Sequence, residues 1–357
     1  MKLSDIDKNF AVDGNIDRTG LKFYNMEESP FKIYGIKREG DSFVRLPSDV
    51  ARNVNSGVFE LCRNTAGGRV RFRSNTKKVA IIAKYNGTVQ PGSGHMCMLG
   101  KSGLDLYADA DYVNTFVLPY DMPSGAFESL INFEERIGEE RDLTINLPQY
   151  SNLCELYIGI EENATLKAAS PYKYETPVVY YGSSITQGGC ASRPGNSYQA
   201  FLSRWIDCDY VNLGFSGSAK GEPEMAEYIA GLDMSVFVYD YDFNALTEQD
   251  LESTHYPFYK IIREKNPDLP IIMMSRPSKK RASRALNGIE IIRNTYNRAI
   301  SEGDNKVWFL CGSDFFPFET SEFTVDNCHP TDLGFYFMAK GLAPTLEAAL
   351  SGKTNEE

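Results

Sequence analysis

The sequence has 357 residues, more than one hydrophobic core usually organises, so we expect two domains. Its composition, 42% hydrophobic and 24% charged, is that of a globular protein and excludes a disordered or fibrous chain. The net charge of −11 argues against nonspecific binding to nucleic acid or to an anionic membrane. No apolar run reaches the roughly 20 residues that span a bilayer. Because MKLSDIDKNFAVDG lacks the apolar stretch of a secretory signal, we expect a cytoplasmic protein.

The cysteines and histidines limit the chemistry available to this chain. Seven cysteines are spread along the sequence, and none lies in a C-x-x-C pair. This spacing argues against a disulfide framework and a cysteine-rich zinc site, so we expect no metal and no cofactor. The sequence has 3 histidines, His95, His255 and His329. His95 lies in a Gly-rich segment of the first half and His255 in a predicted helix, so we expect structural roles for both.

The first half of the chain, residues 1–172, has the pattern of antiparallel β structure. Short runs of β-branched and aromatic residues alternate with turn residues, which predicts an all-β sandwich or jelly roll. The predicted strands are 21–26, 31–36, 58–62, 69–73, 78–84, 115–119, 129–133, 142–147 and 154–160. In 69–73, the sequence RVRFR alternates basic and apolar side chains, which predicts a half-exposed strand. Segment 47–55 is predicted to form a short helix.

The second half, residues 173–357, alternates short apolar runs with amphipathic segments. The predicted strands are 178–182, 210–214, 236–240, 270–275 and 307–311. The predicted helices are 197–207, 222–231, a segment within 248–265, a segment within 282–302, and 331–350. Buried runs separated by helices predict an α/β domain with an open five-stranded parallel sheet and helices on both faces. The boundary between the two halves falls in the polar segment 163–177.

Polar loops follow the predicted parallel strands, at the edge where such sheets bind ligands. After the first strand, Ser183 and Ser184 lie in a loop where a serine either caps the next helix or presents a nucleophilic hydroxyl. After the second strand, Gly217 either forms a tight turn or offers its N–H to an oxyanion. After the third strand, Asn244 is either a turn residue or an oxyanion donor.

A fourth polar segment precedes the last predicted helix. Asp326 and His329 lie three positions apart there, close enough to share one turn of the chain. The carboxylate can then accept a hydrogen bond from Nδ1 and leave Nε2 free as a base. The alternative is an ordinary exposed histidine.

In identity and order, these four segments resemble the SGNH (GDSL) hydrolase family over about residues 175–350. The family's flavodoxin-like fold agrees with the predicted sheet. The resemblance implies that Ser184, rather than Ser183, is the nucleophile, since it is followed by Ile-Thr-x-Gly. It also implies that His329 is the base and that Asp326 orients it.

The resemblance further implies an oxyanion hole formed by Ser184, Gly217 and Asn244. Two segments depart from the family pattern, because Gly-Asp-Ser is Gly-Ser-Ser here and Gly-x-Asn-Asp is Asp-Phe-Asn-Ala. In the first half, residues 103–107 (Gly-Leu-Asp-Leu-Tyr) resemble the GxDLY motif of a β-sandwich domain that precedes one acyl-esterase-like branch of this family.

We therefore predict a serine carboxylic-ester hydrolase. The resemblance implies removal of a small acyl group, such as acetyl, from a sugar, an oligosaccharide or another small alcohol. The alternatives are an acyltransferase or a thioesterase that uses the same residues, and a non-catalytic carbohydrate-binding protein. The sequence indicates neither the acyl chain length nor the oligomeric state.

Overall fold

The computed structural model describes residues 16–87, 94–119, 125–133, 139–277, 283–317 and 321–355. Within these ranges the first half is built mainly from strands. They are β1 (Leu21–Asn25), β2 (Lys32–Tyr34), β3 (Lys37–Glu39), β4 (Ser42–Val44), β5 (Arg69–Ser74), β6 (Lys78–Tyr85), β7 (Asp105–Ala108), β8 (Asp111–Thr115), β9 (Ala126–Asn132), β10 (Arg141–Asn146) and β11 (Leu153–Glu161). The helices of this half are α1 (Ser48–Val54), α2 (Ser56–Leu61) and α3 (Met98–Ser102).

The strands of the first half form a sandwich of two antiparallel sheets. Their strand orders are β1-β11-β6-β9 and β2-β5-β10-β7-β8, and β3 pairs with β4 beside them. Apolar side chains of both sheets, such as Phe72 of β5 and Ile81 of β6, share one buried core. This confirms the predicted all-β first half. The finer prediction of a jelly roll stays a prediction.

Two predicted strands of this half are wrong. Segment 58–62 lies largely in helix α2, because the Asn55 side chain accepts a hydrogen bond from Val58 N–H and starts the helix. The N-cap outweighs the weak strand preference of Val58 and Phe59. Segment 115–119 mostly follows β8, which ends at Thr115. The helix predicted at 47–55 is confirmed as α1.

The prediction that 69–73 is a half-exposed strand is also wrong. Arg69 and Arg71 of β5 are only 2% and 7% exposed. The second half of the chain covers their face of the sheet, where Arg69 Nη2 donates to the Tyr210 carbonyl over 3.2 Å. A basic residue in an alternating pattern predicts a solvent-exposed face only when no other part of the protein packs on that face of the sheet.

The second half contains a parallel sheet flanked by helices. Its strands are β12 (Tyr174–Gly182), β13 (Cys208–Gly214), β14 (Val236–Asp240), β15 (Ile271–Met274) and β16 (Val307–Leu310). Its helices are α4 (Ser184–Gln187), α5 (Tyr198–Ile206), α6 (Pro223–Ala230), α7 (Glu248–Lys265), α8 (Ser283–Ser301) and α9 (Asp332–Leu350). The strand order is β13-β12-β14-β15-β16, with parallel pairing throughout, which confirms the predicted α/β fold.

Both faces of this sheet are buried. Along β12, Val179 and Tyr181 point into one apolar core, and Val178 and Tyr180 point into the other. Burial on both faces explains why the strand has a continuous apolar run instead of an alternating one. In the described part of the chain, no helix is both long and apolar enough to cross a membrane.

The predicted division into residues 1–172 and 173–357 is crossed by one segment. Helices α1 and α2 lie in the first half of the sequence, yet Ala51 and Val58 are fully buried in the core that contains Leu213 and Met225 of the second half. These helices therefore pack as part of the α/β unit. The polar boundary at 163–177 marks a change of secondary structure, not a complete separation of cores.

Candidate active site

Ser184 begins the short helix α4, directly after the carboxyl end of β12. The preceding Ser183 is the helix cap, since its side chain accepts a hydrogen bond from Ile185 N–H over 3.2 Å. The capping role and the role of candidate nucleophile, both considered for this loop, thus fall on two different serines. Helix α4 ends after one turn at Gly188, whose φ of +99° favours glycine.

A chain of hydrogen bonds joins Ser184, His329 and Asp326. Ser184 Oγ lies 2.8 Å from His329 Nε2, and His329 Nδ1 lies 2.8 Å from Asp326 Oδ2. The other carboxylate oxygen, Asp326 Oδ1, accepts the backbone N–H of His329 over 2.8 Å. Asn327 adopts a left-handed φ of 64°, which turns the short loop back on itself. The three predicted residues are therefore brought together in the order that the sequence analysis gave.

The electrostatics of this loop keep Asp326 ionised. Burial alone would raise its pKa, but hydrogen bonds from the backbone and the ring of His329 outweigh that effect. The pKa of Asp326 is therefore lowered from its ordinary value. An ionised carboxylate at Nδ1 favours the tautomer in which Nε2 can accept a proton from Ser184.

Gly217 lies in the loop after β13. This strand pairs with β12, and Ser184 follows the end of β12. Gly182 and Gly214, at the ends of the two strands, are register partners. Gly217 is exposed, and open space surrounds the position where a side chain would start. Within the described residues, the backbone N–H groups of Ser184 and Gly217 make no hydrogen bond. The oxyanion hole predicted from these two groups stays a prediction.

Asn244 holds the Gly217 loop through its side chain. Asn244 Nδ2 donates to the carbonyl of Phe215 over 3.1 Å and to that of Ala219 over 3.0 Å. An amide nitrogen carries two hydrogens, and both are engaged here. The predicted role of Asn244 as an oxyanion donor stays a prediction, since it requires one of these bonds to be given up.

Comparisons with known proteins show which families this chain resembles. The sequence model of the GDSL-like lipase/acylhydrolase family matches residues 175–347, and that of the GxDLY N-terminus of SGNH-hydrolase-type esterases matches residues 21–166. Residues 175–347 therefore belong to the GDSL-like lipase/acylhydrolase family. The chain is a serine esterase of the SGNH/GDSL type, as predicted. Among curated proteins, none matches the chain significantly.

Three solved structures show the breadth of this fold. A Bacteroides ovatus protein described as a GDSL-like lipase is 27% identical, with a TM-score of 0.81 over 93% of this chain and 98% of its own. A salicylyl-acyltransferase from a tetracycline biosynthetic pathway is 19% identical, with a TM-score of 0.74 over 92% and 98% of the two chains. An acetyl xylan esterase of the rumen bacterium Butyrivibrio proteoclasticus is 14% identical, with a TM-score of 0.60 over 93% and 99%.

The first half of this esterase supplies groups that hold the Gly217 loop. Arg45 is buried, and its Nη1 donates to the Gly214 carbonyl over 2.8 Å. Burial lowers the pKa of Arg45 to about 10, so the side chain remains charged at neutral pH. Asn55 Nδ2 donates to the Ser218 carbonyl over 2.9 Å. Sequence analysis missed both residues, because nothing in their local sequence shows a contact with a loop more than 150 positions away.

His95 also reaches the site from the first half. Its ring stacks against the ring of His329, with 4.8 Å between centroids and 29° between planes. The purely structural role predicted for His95 is thus incomplete, because His95 covers one face of the imidazole beside Ser184. The predicted role of His255 fits the structure, since it is buried and its Nδ1 lies 2.9 Å from Thr295 Oγ1. Burial lowers the pKa of His255 to about 3 and keeps it neutral.

Two cysteines, Cys190 and Cys328, lie beside the catalytic candidates, but neither is activated as a nucleophile. Burial, together with the nearby Asp326 carboxylate, raises the pKa of Cys190 to about 12 and that of Cys328 to about 11. Both thiols therefore stay protonated at neutral pH, and a thiol is a poor nucleophile compared with a thiolate. The potential metal-ligating atoms of His95, Cys190 and His329 lie within 4.8 Å of one another, so these three side chains could hold a metal ion together.

The GxDLY motif fixes a loop next to the site. Asp105 is fully buried, and its Oδ2 accepts the Gly195 backbone N–H over 2.7 Å. Asn146 donates to its Oδ1 over 2.7 Å, and Arg193 donates to its Oδ2 over 3.2 Å. The Tyr107 hydroxyl accepts from the same Arg193. Asp105 and Tyr107 of the motif therefore anchor segment 193–195, which follows helix α4.

Proposed function

We propose that this esterase cleaves small acyl esters of sugars or similar small alcohols through a covalent acyl-enzyme. The observation that carries the proposal is the continuous hydrogen-bonded chain from Ser184 Oγ through His329 to Asp326, with distances of 2.8 Å at both links. These distances are within the range for proton transfer between catalytic groups.

In the first step, Ser184 Oγ attacks the ester carbonyl and His329 Nε2 takes its proton. The carbonyl oxygen becomes an oxyanion that the free N–H groups of Ser184 and Gly217 stabilise. His329 then returns the proton to the departing alcohol, which leaves an acyl group on Ser184. Water, deprotonated by His329, attacks this acyl group and releases the acid. Asp326 holds the ring and balances the positive charge that His329 acquires.

The substrate class rests on the relatives with the same fold. The Butyrivibrio protein is an acetyl xylan esterase, and a structure of a family two carbohydrate esterase contains cellohexaose. These likenesses support an acetylated sugar or oligosaccharide as substrate. The cysteines are all free thiols, which supports a reducing compartment and the cytoplasmic location that we propose. Soluble oligosaccharides suit that location better than an intact polymer.

An acyltransferase is the second candidate, because the salicylyl-acyltransferase shares the fold over 92% of this chain. The two reactions differ only in the acceptor that attacks the acyl-enzyme. We expect the purified protein to release acid from a short aryl ester and from an acetylated sugar in plain buffer. Turnover that starts only when a second alcohol is added would identify a transferase.

Removal of divalent metals should leave the activity unchanged, because the proposed steps use only side chains and backbone N–H groups. The measurement is the rate of aryl ester hydrolysis before and after dialysis against a chelator. The group formed by His95, Cys190 and His329 makes this a sharp test. A loss of activity that zinc restores would show that a metal at this group, and not the free His329 base, drives the reaction.

Replacing Asn244 with alanine should lower stability as well as activity. The change removes two buried hydrogen bonds and leaves the Ala219 carbonyl without a donor, whereas the Phe215 carbonyl keeps the backbone N–H groups of Ser218 and Ala219. We expect the free energy of unfolding to fall by about 1–3 kcal/mol. The turnover number should also fall, because the Gly217 loop then keeps only the contacts from Arg45 and Asn55 and is held less firmly.

Thermal melting and steady-state kinetics of Asn244→Ala, measured together, distinguish the two roles of this residue. If Asn244 instead donates directly to the oxyanion, kcat should fall by about 10²–10³ with a normal melting temperature. That result would assign it to the oxyanion hole and contradict the anchoring role. In Asn244→Asp, a carboxylate faces two carbonyl oxygens, so this variant should be less stable still.

A further inference from the structure

A cavity lies between the two halves of the chain, away from the active site, and Ser184, His329 and Asp326 do not line it. Its volume is about 260 Å³. One wall is the outer face of the sheet that contains β5, β7 and β10, and the opposite wall is helix α5. Cavities for drug-sized ligands usually hold about 300–1,000 Å³, so this one suits a smaller molecule.

Arg71 on β5 lines this cavity. The residue is only 7% exposed, and its Nε and Nη1 are buried without a hydrogen-bond partner in the described residues. The guanidinium carbon lies 4.0 Å from the centre of the Tyr172 ring, which fixes its plane. A buried charge with unsatisfied donors is costly, so such a group is normally paired or occupied by a ligand.

Arg204 on helix α5 faces the same space from the second half of the chain. Its guanidinium carbon lies 4.1 Å from the centre of the Tyr107 ring. Within the described ranges, no hydrogen bond or ion pair to a carboxylate involves this side chain. The cavity therefore has an unpaired guanidinium on each wall, and each lies over a tyrosine ring.

The carboxylates that line the cavity are engaged elsewhere. Asp109 accepts from Arg141 Nε over 3.0 Å, and Asp142 accepts from Arg73 Nη1 over 3.3 Å. Asp207 accepts the backbone N–H of Lys173 over 3.1 Å. The third arginine of the lining, Arg69, forms an ion pair with Asp209. Once these ion pairs are set aside, Arg71 and Arg204 have no ion-pair partner among the described residues, and the Asp207 carboxylate accepts only from a backbone N–H.

We propose that this cavity binds a small anionic molecule whose carboxylate or phosphate lies between Arg71 and Arg204. A guanidinium presents parallel N–H donors that match two oxygens of such a group. The rings of Tyr107, Tyr172 and Tyr210 line the same space, and each has an arginine guanidinium over its face. The site therefore fits a small molecule that carries a carboxylate or a phosphate group. Because the two arginines belong to different halves, the bound anion joins the sandwich to the α/β unit.

Thermal unfolding in the presence of defined anions tests the proposal. The probes are sodium phosphate, sodium glucuronate and neutral glucose, each titrated at constant ionic strength with sodium chloride. A ligand that binds the folded protein raises the melting temperature, by roughly 2–5 °C at ten times its dissociation constant. We expect a saturable rise with glucuronate or phosphate and none with glucose. A response to glucuronate alone identifies a carboxylate, and a response to phosphate identifies the phosphate group as the ligand.

Variants of the two arginines make the test specific. Arg71→Met and Arg204→Met should each abolish the anion-dependent rise. Without anion, Arg71→Met should melt at or above the wild-type temperature, since a buried unpaired charge has been removed. The matched control is Lys22→Met, which removes one positive charge from an exposed position on β1. This variant should respond as the wild type does.

Three results would overturn the proposal. The first is the absence of a saturable shift with either anion. The second is an unchanged shift in whichever of the two arginine variants folds. The third is an equal loss of the shift in Lys22→Met, which would indicate a general effect of charge. If the proposal holds, isothermal titration with the anion that gives the larger shift should show one site per chain for the wild type. It should show no heat of binding for Arg71→Met.

Discussion

Replacing Ser184 with alanine should lower kcat for a short aryl ester by about 10⁶-fold, to the level of background binding and oxyanion stabilisation. The reason is that every proposed covalent step passes through Ser184 Oγ, which lies 2.8 Å from His329 Nε2. The melting temperature should change little, because the lost hydroxyl bonds only this ring. The measurement is steady-state hydrolysis at neutral pH, with mass spectrometry to detect the acyl-enzyme in the wild type.

Three control variants separate the nucleophile from its neighbours. Ser183→Ala removes the helix cap, so it should cost about 1 kcal/mol of stability while most activity remains. Cys190→Ala and Cys328→Ala should stay active, because both thiols are protonated at neutral pH. A folded Cys328→Ala without activity, or a Ser184→Ala variant that still forms an acyl-enzyme, would show that the nucleophile has been misassigned.

The predictable part of this molecule is the part whose signals are local. Each strand of the parallel sheet is a buried apolar run, and the polar segments at Ser184, Gly217 and Asp326–His329 follow strand ends or precede a helix. Ligand sites in such sheets collect at one edge, and the resemblance of these segments to the SGNH hydrolase family, in identity and order, implied a shared site. The hydrogen bonds of Ser184, His329 and Asp326 agree with it.

The unpredictable part depends on contacts between distant segments. Arg45 holds the Gly214 carbonyl across 169 positions, and His95 stacks on His329. Neither contact leaves a periodic pattern or a motif, because each requires only one residue at one point of a surface. The buried arginines of β5 mislead for the same reason, since alternation reports two faces of a strand but not what covers each face.

Asn244 shows a third kind of limit. The sequence places it after the correct strand, and the family resemblance suggests an oxyanion donor. The structure instead engages both hydrogens of its amide with the carbonyls of Phe215 and Ala219. An asparagine at this position of the sequence can either hold the Gly217 loop or contact the oxyanion. These two roles differ in the direction of one amide group, which only the folded chain determines.

Replacing Asp326 with asparagine should lower kcat by about 10⁴-fold, the second largest effect that we expect. Asparagine keeps the oxygen that accepts the His329 backbone N–H, so the loop should retain its shape. Its amide nitrogen, however, donates a hydrogen where Asp326 Oδ2 accepts one from His329 Nδ1. The ring must then carry its proton on Nε2, where it can no longer accept the proton of Ser184.

The matched control for this change is Asp332→Asn, six positions further along, which removes the same charge near the site. Asp332 accepts the backbone N–H of Ser192 over 2.8 Å and has no contact with the His329 ring. We expect Asp332→Asn to retain most of its activity and Asp326→Asn to melt near the wild-type temperature. If Asp326→Asn keeps more than about a tenth of the wild-type kcat, the carboxylate does not set the tautomer of His329. The hydrogen-bonded chain would then end at the histidine, and its acid would serve only to shape the loop.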